Sequence, residues 1–163
     1  VDERLLTKMR DSLEHRGPDD KGLSIENNIG FGHRRLSILD VSAAGHQPFL
    51  SDNGRYVMVY NGEIYNFKDF YPELKNNGFN IRTSSDTEVL LKLFELYGTK
   101  ILNRLNGMFA FVIWDKKERK LTAVRDRMGV KPLYYTFYNL QGILNFHQYL
   151  FLSYFYNLLL LNA

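Results

Sequence analysis

The sequence agrees with an α+β fold class on three observations. Apolar runs of strand length recur in pairs about short turns, and amphipathic helical segments separate those pairs. The chain's 163 residues are 45% hydrophobic, enough for one packed core.

The elements follow in order. Residues 2–13 read as an amphipathic helix with Leu5, Leu6, Met9 and Leu13 on one face. Pro18 ends it, because proline biases the preceding residue away from helical geometry. Two strands, 23–26 and 29–33, turn about Asn27-Asn28. The second runs into Arg34-Arg35. A pair of arginines ordinarily marks a solvated face. Arg35, however, stands where the strand gives way to Leu36-Ser37-Ile38, and a guanidinium there can hold a carboxylate through two parallel bonds. His33 and His46 have no metal-ligand spacing and read as structural.

Residues 40–53 form a loop rich in Ser, Ala, Gly and Pro, and 55–60 a buried strand. Asn61-Gly62 then marks a tight turn, because both residues tolerate positive φ. By itself the pair is an ordinary hairpin turn. Here Glu63 and another polar-aromatic run follow it. An Asn amide beside a Gly N–H also supplies two donors for one oxygen, which is how an oxyanion hole is built.

Residues 67–76 read as a short helix limited by Pro72, with Gly78 past its end, and 79–82 as a strand. Ser85-Asp86-Thr87-Glu88 is a capping box. Its helix runs to Tyr97, burying Val89, Leu90, Leu93, Phe94 and Tyr97, and Gly98 closes it. Asp86 reads as a first-turn acid favoured by the helix dipole. Strands 108–115 and 121–125 flank a charged turn, with Phe109, Phe111 and Trp114 as core residues; 132–138 is a further strand.

Composition excludes several classes. The net charge of +3 is weak and interspersed with acids, so no nucleic-acid partner is expected. Cysteine is absent, which rules out a disulfide framework or Cys-based metal site within these residues and fits a cytoplasmic protein. No signal peptide opens the chain, and Val1 in place of Met suggests that the true beginning is missing. From Pro132 onward no Asp, Glu, Lys or Arg occurs, and 149–161 is nearly all Leu, Phe and Tyr. That run is shorter than the roughly 20 residues of a spanning helix, so no membrane partner is expected. The expectation is a domain over 1–138 and a foreign apolar tail over 139–163.

Seven motifs, the central Tyr60 to Asn66 and six around it, carry a resemblance. They are His15-Arg16-Gly17-Pro18-Asp19, His33 to Asp40, Gly45-His46-Gln47-Pro48, Tyr60 to Asn66, Ser85 to Val89, and Leu105 to Phe111 followed by Arg125 to Tyr135. In order and spacing they resemble the glutaminase domain of glutamine-dependent asparagine synthetases, which are class II glutamine amidotransferases. The resemblance covers about Leu5 to Tyr138. It implies the four-layer αββα fold of N-terminal-nucleophile hydrolases, two stacked antiparallel sheets flanked by helices, with the first strand missing.

The resemblance also implies roles. Arg35 would hold the α-carboxylate of L-glutamine, and backbone groups of Leu36, Ser37, Ile38 and Leu39 would line the pocket. Glu63 and Asp86 would orient the α-amine. Asn61 and Gly62 would form the oxyanion hole. The nucleophile of this class is an N-terminal Cys whose own amine relays the proton. It would lie upstream of Val1, which cannot replace it, so the chain as given is expected to be inactive. Ammonia would pass to a synthetase domain that amidates aspartate. No cofactor or metal is expected in the glutaminase domain; ATP and Mg would belong to the missing synthetase domain. That domain is the implied partner, and a homodimer is compatible with it. Two other readings stay open: a non-catalytic glutamine-binding or interaction module, and an amidotransferase acting on a sugar uronic acid.

Overall fold

The computed structural model describes residues 1–36, 45–138, 141–145, 149–154 and 158–162, with side chains over 1–36 and 45–135. The chain begins with α1 (Glu3–Asp11), β1 (Asp20–Glu26), β2 (Ile29–Arg35), β3 (Phe49–Leu50) and β4 (Tyr56–Ile64). After a 3₁₀ turn (Phe67–Phe70) come α2 (Tyr71–Asn76) and α3 (Asp86–Tyr97). A second 3₁₀ turn (Gly98–Arg104) leads into β5 (Gly107–Asp115) and β6 (Lys120–Arg125). The last strands are β7 (Tyr134–Tyr138), β8 (Gln141–Asn145), β9 (Tyr149–Tyr154) and β10 (Leu158–Asn162).

These strands make two five-stranded sheets, ordered β1-β2-β9-β8-β7 and β10-β6-β5-β4-β3. Every pair is antiparallel except β10 with β6. The second sheet is therefore mixed where antiparallel pairing was expected throughout. The physical reason is connectivity. β10 follows β6 only after an excursion through three strands of the other sheet, and parallel pairing needs such a long crossover.

Period-two alternation sorts the side chains into four layers. Val57 and Val59 of β4, Ala110 and Val112 of β5, and Leu121 and Ala123 of β6 pack with Ile29 and Phe31 of β2 between the sheets. The intervening Tyr56, Met58, Tyr60, Phe109, Phe111 and Ile113 face the other way, onto α2 and α3. α1 covers the far side of the first sheet. Leu6 is fully buried there against Leu23, and Gly30 and Gly32 let the helix approach closely: a Cβ on Gly30 would lie 2.8 Å from Leu6 Cδ2. The layers are thus αββα.

Four local expectations are corrected. Leu5 is 46% exposed, because α1 lies on the glycine strip through Leu6 and the stem of Arg10. Pro72 starts α2 rather than limiting it, since a proline in the first turn loses no helical hydrogen bond. Residues 79–82 are not a strand: the Arg82 and Thr83 amides go to the Glu88 carboxylate instead of a neighbouring strand. The capping box is only half formed. Ser85 Oγ accepts from Thr87 N–H at 3.2 Å, but Glu88 turns upstream, and the Ser85 N–H goes to Thr83 Oγ1.

Candidate active site

Asn61-Gly62 is not a turn. Both residues lie inside β4, opposite Ala110 and Phe109 of β5. Glycine is needed at 62 for close approach, because a Cβ there would lie 2.2 Å from the Met108 carbonyl oxygen and 2.7 Å from Phe109 Cα. The turn expected at this point is displaced beyond Ile64, because β5 pairs with β4 all the way to Gly107.

Alternation also fixes where the β4 backbone points. In an antiparallel strand both polar groups of a residue face one edge, and successive residues alternate. Arg55 and Tyr65 bond toward β5, through Lys116 N–H and the Asn106 carbonyl. Even-numbered residues therefore face the opposite edge. There Tyr56 accepts from Ser51 N–H, and Met58 pairs with Phe49. Beyond β3 the Gln47 side chain takes over. Its Oε1 accepts from Tyr60 N–H at 2.7 Å, and its Nε2 donates to the Tyr60 carbonyl at 3.1 Å. Two residues on, Asp86 Oδ2 accepts from Ile64 N–H at 2.9 Å. The Gly62 N–H shares this edge, between the Gln47 amide and the Asp86 carboxylate. Phe109, opposite Gly62, gives its own N–H and carbonyl to Asp126 on the β6 side.

Asp86 is the first residue of α3 and only 4% exposed. Oδ2 also accepts from the Tyr60 hydroxyl at 2.6 Å. Burial pushes its carboxyl above the usual carboxylate range; the Tyr60 hydroxyl and the Ile64 and Thr87 amides oppose this, and the neighbouring Glu63 charge adds to it. Two residues into the helix, fully buried Glu88 accepts from Arg82 N–H, Thr83 N–H and Thr83 Oγ1, and pairs with buried Lys92 at 3.3 Å. Lys92 in turn reaches Asp52 at 2.6 Å. This network ties residues 82–85 to the first turn of α3 and so sets the position of Asp86.

Arg35 ends β2 with the parity of Ile29 and Phe31, on the face turned toward the second sheet. Its guanidinium lies on Gly45, where a Cβ would come within 2.0 Å of Nη2. Two residues later Gln47 clamps Tyr60, so the short run from Gly45 to Gln47 joins Arg35 to the edge that carries Gly62. Leu36 is exposed; Ser37, Ile38 and Leu39 lie outside the described residues. Asn61 is 9% exposed and Glu63 half-buried, and both share the inter-sheet face of Val57 and Val59. His33 is fully buried, and that burial, reinforced by nearby His46 and Arg35, holds its pKa well below the usual imidazole range. Among the described residues no three His, Asp or Glu side chains stand together as a metal site. No helix among them is long and apolar enough to cross a membrane.

Comparison with known proteins decides what this arrangement belongs to. The profile described as a glutamine amidotransferase domain matches residues 1–150. The chain belongs to the glutamine amidotransferase domain family. It is 45% identical over 137 residues to a glutamine-hydrolysing asparagine synthetase of Bacillus subtilis, covering 84% of the chain and 22% of the relative. A putative glutamine-hydrolysing asparagine synthetase of Methanocaldococcus jannaschii is 45% identical over 150 residues, covering 80% and 28%. The amidase chry2 of Gibberella zeae is 42% identical over 138 residues, covering 83% and 20%. The chain thus spans less than a third of the length of these curated relatives. Among solved structures it is similar to glutamine phosphoribosylpyrophosphate amidotransferase of B. subtilis, complexed with ADP and GMP. The TM-score is 0.52 at 26% identity, over 76% of this chain and 27% of that one. That likeness agrees with the two-sheet α+β architecture and the N-terminal-nucleophile fold.

Within this amidotransferase domain, sequence reasoning missed three supports of the site. Gln47 stood inside a recognised motif but carried no assigned task; a polar residue just ahead of a proline and a buried strand was its only signal. Tyr60 read as the last apolar position of a strand. Asp126 likewise stood inside a motif, Arg125 to Tyr135, without an assigned task. It is 4% exposed and accepts from Phe109, Val130 and Lys131 N–H at 3.2, 2.9 and 3.0 Å. Burial pushes its carboxyl up, but these amides and that of Gly129 outweigh the effect and lower it. Its signal was the Asp-Arg-Met-Gly sequence, an acid placed to collect the amides of a glycine turn.

Proposed function

We propose that this chain is the glutamine-binding part of a glutaminase domain that supplies ammonia to an ATP-dependent synthetase acting on aspartate. The observation that carries the reading is the edge of β4, where Gly62 stands between the Gln47 clamp and Asp86. In this reading Arg35 holds the α-carboxylate of L-glutamine as a charge-assisted pair. Asp86 and Glu63 take the α-ammonium group. Asn61 Nδ2 and the Gly62 N–H face the amide oxygen and stabilise it as it becomes an oxyanion. The thiolate that attacks the amide comes from a cysteine outside these 163 residues, which contain none. ATP and Mg act in the synthetase domain, which also selects the acceptor. Isothermal calorimetry of the chain with L-glutamine tests the reading. Binding that Asp86→Asn and Arg35→Ala each weaken supports it, and affinity unchanged by both refutes it. A protein limited to these residues releases no glutamate above a buffer blank; release would refute the need for an external thiol.

A further inference from the structure

Tyr60 is held at both ends. Its backbone N–H and carbonyl are clamped by the Gln47 amide, and its hydroxyl donates to Asp86 Oδ2 at 2.6 Å. The ring is 3% exposed, inside the cluster between β4 and α3. The Ile64 N–H bonds the same Asp86 oxygen, so both contacts from β4 fall on Oδ2. A tyrosine spent in this way is unnecessary for packing alone, since phenylalanine would fill the same space.

We propose that Tyr60 is a positioning residue for ammonium recognition: its hydroxyl fixes the rotation of the Asp86 carboxylate for the α-amine of the bound amino acid. This rests on the reading that Asp86 takes that amine. The surroundings of Asp86 leave few other groups for the task. From β4, Glu63 adds a like charge. On its own helix, Glu88 and Lys92 are paired with each other, and Asp52 and Arg82 complete that network. Lys68 and Asp69 of the adjoining 3₁₀ turn, Lys75 of α2 and Lys100 are exposed. Glu73 and Arg104 pair beside Tyr97, at the far end of α3. Among the described residues the Tyr60 hydroxyl is thus the side-chain donor on this carboxylate, and it opposes the rise caused by burial.

The test is Tyr60→Phe in the full chain, with two ligands read by calorimetry from about pH 4 to 8. L-Glutamine carries the α-amine; glutaramate is the same molecule without it. Tyr60→Phe should weaken L-glutamine on the order of tenfold and leave glutaramate unchanged. The acid limb of L-glutamine binding should also move to higher pH, because loss of the donor raises the Asp86 carboxyl. Equal weakening of both ligands, or no weakening of either, overturns the proposal. A separate measurement needs no ligand. Carbon-13 NMR titration of the Asp86 carboxyl should give a higher midpoint in Tyr60→Phe than in the parent chain, and an unchanged midpoint overturns the proposal as well. Asp86→Asn distinguishes the two levels. If it leaves L-glutamine affinity intact, the ammonium assignment fails, while the NMR midpoint still reports whether Tyr60 holds the carboxylate.

Discussion

Gln47 and Tyr60 are joined as two strand residues are joined, except that one partner is a side chain: the Gln47 amide donates to the Tyr60 carbonyl and accepts from the Tyr60 N–H. Gln47 is 5% exposed. Gln47→Glu keeps the shape and loses the donor, leaving a carboxylate beside the Tyr60 carbonyl. A buried polar group stripped of its partner costs about 1–3 kcal/mol. Urea denaturation should show that loss for Gln47→Glu at pH 7, with partial recovery at acid pH as the introduced carboxyl regains a proton.

Arg35 and Asn61 should separate kinetically in a longer protein that supplies the cysteine. Arg35→Ala removes a charge-assisted pair of about 1.5–3 kcal/mol, present in ground and transition states alike, so KM should rise more than kcat falls. Asn61→Ala removes a donor needed only as charge develops, so kcat should fall by about 10²–10³ with little change in KM. Steady-state kinetics checks both. An intact kcat in a folded Asn61→Ala protein would sink the oxyanion assignment.

Glu88 predicts a different kind of loss. Its carboxylate is fully buried and holds the Arg82 and Thr83 amides as well as Lys92. Glu88→Ala should destabilise the domain by about 3–5 kcal/mol, because Lys92 is left buried with half its pairing gone. Adding Lys92→Met should return part of that loss. Thermal and urea unfolding of the two variants measures the difference.

The Glu73 carboxyl is held down to about 2 by hydrogen bonds from Arg104 and then from Tyr97. Because that value lies below the ordinary 4.5, the interaction stabilises the fold above the unfolded-state value and is lost as pH falls from about 4.5 toward 2. Both partners are partly exposed, so the contribution is about 0.2–1 kcal/mol. Arg104→Ala should therefore lower stability at pH 7, and the gap to the parent should close at the acid end of that window. Urea titrations at several pH values follow it.

Much of this molecule was legible from period alone. Once 55–60 and 108–115 are read as strands, their period of two puts Val57 and Val59 on one face and Tyr56, Met58 and Tyr60 on the other, and these faces pack on the first sheet and on the helices respectively. What the sequence could not carry were the substitutions for regular pairing. Residues 79–82 have strand composition, yet a carboxylate six positions away takes the Arg82 amide. Asn61-Gly62 has turn composition, yet β5 continues beside it as far as Gly107. In the first case local propensity lost to a carboxylate of the next helix, and in the second to a strand that only the tertiary fold brings near. Leu5 failed for a related reason, since the glycines that seat α1 belong to another element.

The parity of β4 has a consequence for how this strand can change. Its even positions meet Phe49, Gln47 and Asp86 along one margin, and its odd positions lie against β5 along the other. One residue gained or lost between Tyr56 and Gly62 would exchange the margins, turning the Gly62 amide toward Phe109 and the Asn61 side chain toward α3. The strand is therefore a ruler graduated in pairs: odd changes of length within it erase the site.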